Sequence, residues 1–149
     1  MKHASQMTDV HDVATYILSK QGQMTAMKLQ RLVYYSQAWS IVWDEKPLFG
    51  ERIEAWANGP IVPGLYREHQ GQFKVGWLHL GNPNYLTNDE KETIDVVLQY
   101  YGNKKTQWLS ELARLEDPWR KARGNCPPGA VCNNEITLAA MAEYYSGLL

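Results

Sequence analysis

Residues 26–43 place the tightest constraint on what this chain can fold into. Leu29, Leu32, Val33, Trp39 and Trp43 recur at helical intervals behind Thr25, a residue suited to cap a helix. From Val33 to Trp43 the stretch is apolar or aromatic on nearly every side, broken only by Ser36, Gln37 and Ser40. A helix of that kind is stable in water only when other elements cover it on several sides. The spacing predicts a central helix over Ala26 to Trp43 with the rest of the fold wrapped around it.

The flanking segments supply the cover. Val10, Val13, Ala14, Ile17 and Leu18 form an apolar stripe behind Asp9, predicting a first helix from Asp9 to Lys20. After Pro47-Leu48-Phe49-Gly50 the pattern switches to period two over Glu51 to Trp56, which fits a short strand, with at least one exposed edge, in a small hairpin or strap. Asn58-Gly59-Pro60 is expected to end that strap, and Pro63 to open a third helix through His69. Gly71 to Leu86 shows no sustained period and reads as a loop. Thr87 to Glu90 has the form of a capping box for a fourth helix ending at Gly102. Thr106 is expected to cap a fifth helix, Asp117 with Pro118 a sixth that stops at Gly124, and Asn133 or Asn134 a last one bearing Ile136, Met141 and Tyr144. The expected fold is mostly α: a single compact bundle of six to seven helices, with a small β-hairpin or strap inserted after the second. Residues 1–8 read as an N-terminal tail and 9–149 as one domain.

Length and charge narrow the function. A chain of 149 residues has the size of one domain. Lys plus Arg number 15 against 16 Asp plus Glu, so no overall positive field draws it to nucleic acid or anionic membrane. The apolar runs are too short for a spanning helix, and residues 1–7 lack the apolar core of a signal peptide, so a cytoplasmic protein is expected. In such a compartment Cys126 and Cys132 are expected to be thiols.

Enzyme chemistry finds little footing. His11 and Asp12 are adjacent on a helix and point about 100° apart, which reads as a solvated first-turn pair, and Glu68-His69 fails likewise. His69 and His79 flank a Gly-rich loop without a nucleophile signature. Two cysteines spaced as Cys126 and Cys132 do not make a zinc site, the glycines form no phosphate loop, and no cofactor, metal or catalytic residue is expected. Lys104 to Arg123 holds six basic residues against three acidic ones, but a solvated face accounts for that and nucleic acid is not expected as a partner.

A binding surface fits better. Six Trp and nine Tyr against two Phe favour rings with a polar edge, which serve cores that hydrogen-bond and also interfaces. The segment Ile53 to Tyr66 combines a ribbon, a rigid Asn58-Gly59-Pro60 turn and the anchors Trp56 and Tyr66. Arg31 on the central helix joins these as a candidate contact or as a snorkelling side chain, as does Lys28. A structural role is open for the same residues: Trp56 as a core anchor, Gly59-Pro60 as a bend, Tyr66 as a buried hydrogen-bonding group.

Four separated blocks also resemble a known family. Met27 to Ala38 (with Leu29, Leu32 and Tyr34), Pro47-Leu48-Phe49, Ile53 to Pro63 with Tyr66, and Asp117-Pro118-Trp119 with Ala122-Arg123 occur in the order seen in the Panacea domain, the SocA-like family found also in phage and prophage genes. The resemblance implies an antitoxin that binds and neutralises a toxin encoded beside it. It also implies, as an alternative, an adaptor that delivers a client to a protease. A small uncharacterised hydrolase is the remaining reading.

Overall fold

The polar interruptions of the long helix turn inward. The computed structural model describes residues 8–149, and residues 1–7, most of the expected tail, lie outside the described residues. Helix α1 (Val10–Gln21) leads through strand β1 (Met24–Thr25) into α2 (Ala26–Asp44). Thr25 caps α2 by accepting from the Lys28 amide at 3.1 Å, and Glu45, in the left-handed region, ends it. Leu29, Leu32, Val33, Tyr34, Tyr35 and Ala38 are all buried, as a helix apolar on every side requires.

Gln37 and Ser40 are equally buried, because their side chains replace backbone partners. Gln37 Oε1 accepts from the amides of Leu48 and Phe49 at 2.7 and 3.3 Å, and its Nε2 donates to the Phe49 carbonyl at 2.9 Å. Ser40 donates to the Lys46 carbonyl. The loop after α2 has no strand to bond to, so the helix supplies the groups that its buried backbone needs. Gln30, two turns earlier on the same face, does the same for Val62, accepting from its amide at 2.9 Å.

Strands β2 (Ile53–Trp56) and β3 (Gly59–Ile61) form the hairpin after the second helix. Gly59-Pro60 does not end the strap as expected. The chain reverses at Ala57-Asn58, and Gly59 to Ile61 run back as β3. Pro60 is tolerated because its pair, Ala55, directs its own amide the other way, to the Asn134 carbonyl at 2.9 Å. That second bond corrects another expectation. Strand β2 has no free edge, since β5 (Glu135–Ile136) pairs along its other side and gives the order β3-β2-β5.

Helix α3 (Pro63–His69) follows with Pro63 in its first turn. The expected loop from Gly71 to Leu86 contains β4 (Lys74–Val75), which pairs with β1, and a 3-10 turn at Pro83–Tyr85. Helix α4 (Asn88–Tyr101) has the anticipated capping box of Thr87 and Glu90, and Glu90 also accepts from the hydroxyl of Thr8, a buried residue.

Three other caps differ from expectation. Thr106 is the first residue of α5 (Thr106–Leu115) and not its cap, because its hydroxyl bonds that of Thr25 at 2.6 Å. Asp117 is likewise the first residue of α6 (Asp117–Arg123), and the cap position belongs to Glu116, whose carboxylate turns into the core. Helix α7 (Leu138–Ser146) is capped by Thr137. Asn134 instead donates to the Ala122 carbonyl, and Ile136 lies in β5 and not on a helix.

Seven helices with these small antiparallel sheets make the fold mostly α among the described residues, with α1, α4, α5 and α7 packed around α2. The thiols expected at Cys126 and Cys132 are joined in a disulfide. The Pro127-Pro128-Gly129 turn brings their Cα atoms to 6.2 Å, within the span a disulfide bridges.

Candidate functional site

The β2–β3 turn is held from beneath by side chains. Arg31 is fully buried and sends Nη1 to the Pro60 carbonyl at 2.6 Å and Nη2 to the Asn58 carbonyl at 2.8 Å. Arg114 on α5 donates to the same Asn58 oxygen at 3.1 Å. Trp119 on α6 gives its indole N–H to the Trp56 carbonyl at 2.8 Å, and Arg123 reaches the Ala55 carbonyl at 3.3 Å. Four donors from three helices thus take up the carbonyls of the ribbon.

Outward, the turn presents Asn58 as its exposed tip. Half-buried Trp56 packs edge-on against Tyr66 at 4.9 Å, and Tyr66 against His69 at 5.3 Å. Trp56 also donates to Glu54 at 2.9 Å. Beside Trp56 a depression of about 290 Å³ is walled by Gly129, Val131, Cys132 and Asn133 of the disulfide loop. Arg123 fixes that loop as well, donating to the carbonyls of Ala130 and Pro127.

The electrostatics are unusual. No carboxylate pairs with Arg31 or Arg114 among the described residues. Burial, and secondarily the neighbouring Arg114, lowers the Arg31 pKa to about 10, and its Nε has no partner. Arg31 is therefore inaccessible as a direct contact. It supports the turn that Asn58 tops, and it packs so closely on Gly59, buried with Pro60, that a side chain there would overlap it.

Residues 29–120, from within α2 through most of α6, match the family model described as antitoxin SocA-like, Panacea domain. The chain belongs to this family. No curated protein and no solved structure gives a significant match. The match contains the whole β2–β3 turn with Arg31, Arg114 and Trp119. The disulfide loop, β5 and α7 fall outside it, so this Panacea domain builds one wall of its candidate site from a segment beyond the family match.

Residues on which the resemblance rests lie inside the molecule. Leu29, Leu32 and Tyr34 are buried in α2, Pro118 is buried at the start of α6, and Trp119 is half-buried against the ribbon. Arg114 and Arg123 were not legible as ribbon supports. In sequence they belong to a basic stretch that reads as solvated, yet Arg123 is buried and only the packing of α5 and α6 on the hairpin reveals its role.

The histidines stand apart. Gln30 Nε2 donates to His69 Nε2 at 3.0 Å, which makes that nitrogen an acceptor, and burial lowers the His69 pKa, so the ring is neutral. His79 packs on Trp77. His11 and Asp12 are not the solvated pair expected. Asp12 is buried, accepting from the amides of Asn82 and Asp9, and burial raises its pKa. Ligand atoms of Asp9, His11 and Glu51 do lie within 4.8 Å of one another. Both carboxylates are engaged in starting α1, Asp9 accepting from Asp12 N and Glu51 from Val10 N.

No helix among the described residues is long and apolar enough to cross a membrane.

Proposed function

We propose that this Panacea-domain protein is an antitoxin that neutralises a cognate toxin by direct binding through the β2–β3 face. The supporting observation is the four-donor support under the ribbon. A turn whose carbonyls are tied inward loses little freedom on association, so its exposed tip and aromatic flank are preorganised for a partner. Asn58, Trp56 and Tyr66 supply the contact, and Arg31, Gly59 and Pro60 hold them in place. Such a complex buries about 1,200–2,000 Å² in total and rests on a few anchors.

The test is coexpression with the product of the neighbouring gene. Restored growth and a copurifying complex are expected, both lost on Trp56→Ala or Asn58→Arg in a chain that keeps its helical circular dichroism. Neither rescue nor complex with the intact chain overturns the reading.

An adaptor role is the second reading, and it needs a second surface. A trough lined by none of the β2–β3 residues offers one. Loss of the client only in cells with the intact protease separates an adaptor from a simple neutraliser.

A further inference from the structure

Between α2, α4, α5 and α7 lies a trough of about 540 Å³ whose walls are aromatic. Trp39 stacks on Trp43 at 5.0 Å and donates its indole N–H to the Tyr101 hydroxyl at 3.0 Å, while Tyr100 and Tyr144 stand at the sides. Trp43 and Tyr100 are 42% and 62% exposed, so the walls are open to a visitor.

The floor carries a carboxyl group. Glu116 is only 6% exposed and lines the trough. Its Oε1 accepts from the hydroxyls of Tyr35 and Tyr145, each at 2.7 Å. Its Oε2 receives no hydrogen bond from a described residue, and no described cation pairs with it. One end is acidic, and the other is balanced, because Asp117 there pairs with Arg120 at 3.5 Å and Lys121 at 3.6 Å. Asp44, Asp89 and Glu92 line an adjoining hollow that shares Trp43 and Val96 with the trough. Asp117 and Glu143, with Lys121, line another that shares Tyr144 and Leu148.

A carboxylate beneath a ring of aromatic faces is complementary to a cation on an apolar stem. The ring quadrupoles attract the charge, and the low exposure of the floor strengthens its pairing with the carboxylate. The acidic hollow of Asp44, Asp89 and Glu92 extends that preference to further basic residues on one side. We infer that the trough is a docking site for a basic amphipathic segment of a partner polypeptide, which seats an Arg or Lys side chain on Glu116. The site shares no residue with the β2–β3 face and stands whether or not that face binds a toxin.

Three synthetic peptides test it. Each is an amphipathic helix of about 15 residues with Leu on one face, basic flanks and a central Arg, citrulline or Glu. They are titrated into the full chain while the indole N–H resonances of Trp39 and Trp43 are followed by NMR. The Arg peptide is expected to shift both resonances saturably and to bind about tenfold tighter than the citrulline peptide, with the Glu peptide weakest. Glu116→Gln retains an acceptor for the two tyrosines and is expected to bring the Arg and citrulline peptides to equal affinity. Tyr100→Ala, at an exposed wall position, is expected to weaken both alike. Equal binding of Arg and citrulline peptides to the unmodified chain overturns the inference, as does a preference that survives Glu116→Gln, or no saturable shift at either indole.

Discussion

The guanidinium of Arg31 lies flat against Gly59, so close that a Cβ added to the glycine would stand 2.6 Å from Nη2. Gly59 also has φ +137°, which L side chains rarely adopt. Arg31 cannot retreat, being buried and bonded to two carbonyls of the same turn. Gly59→Ala is therefore expected to destabilise the fold by about 2–4 kcal/mol, from backbone strain and displacement of a buried cation together. Asn58→Ala, at the exposed tip, should change stability by less than about 0.5 kcal/mol. Urea denaturation of the two variants checks the contrast, and similar midpoints would refute the close packing.

Gln37 is the clearest case of a side chain standing in for a strand. Replacing it with Leu keeps the volume and leaves the Leu48 and Phe49 backbone groups buried without their partners. A loss of about 2–3 kcal/mol is expected. Gln37→Glu keeps the acceptor but loses the donor to Phe49, and it buries a charge. Hydrogen exchange at the Leu48 amide should rise in Gln37→Leu before any global unfolding is seen.

Glu116 gives stability a defined pH dependence. Burial raises its pKa above the ordinary 4.5, against the lowering effect of the Tyr145 and Tyr35 hydroxyls. The folded state then holds this proton more tightly than the unfolded one. Its contribution is full below 4.5 and is lost as pH rises through the raised value. Relative to Glu116→Gln, the unmodified chain should be most favoured below pH 4.5 and lose ground as pH rises above it. Denaturation of both proteins on either side of that pH checks the sign.

Alkaline pH should unfold the chain. Burial raises the pKa of Tyr34, Tyr35 and Tyr145, and that of Tyr101 to about 12, from an ordinary 10.0. Each contributes stability that is whole below 10.0 and declines above it, as the unfolded chain ionises first. Arg31 and Lys28 act in the opposite sense, since burial lowers the pKa of each, that of Arg31 to about 10, but they are two groups against six, because the pKa values of Tyr16 and Tyr144 are raised as well. Tyrosinate absorbance and loss of helical signal should rise together above about pH 10.

The Cys126–Cys132 bond closes a loop of sequence separation 6. Chain entropy assigns such a closure about 2 kcal/mol. Cys126→Ser with Cys132→Ser, or a reductant, should lower stability by about that amount while α1 to α5 keep their protection. Equal stability with and without reductant would show that the loop is held instead by Arg123, which already bonds two of its carbonyls.

The helices, their order, the hairpin after α2 and three of the caps were legible because those signals are local. Asp9, Thr25 and Thr87 bond amides three residues away, so spacing along the chain is enough to find them. Thr106, Asp117 and Asn134 carry the same letters and do other work. Their positions were settled by partners 81 residues off for Thr106, by the inward turn of Glu116, and by the pairing of β5 with β2.

Burial of charge was hidden for the same reason. Nothing near Arg31 in sequence says that a turn 27 residues downstream folds over it, and nothing near Glu116 foretells the hydroxyls of Tyr35 and Tyr145. Helical period and composition were sufficient to require a central apolar helix with a mostly α surround, since each rests on residues within a few turns. Which polar side chains lie inside, and what opposes them, depended on contacts that exist only once distant segments have packed. Desolvation is a property of that packing and has no counterpart in the order of residues.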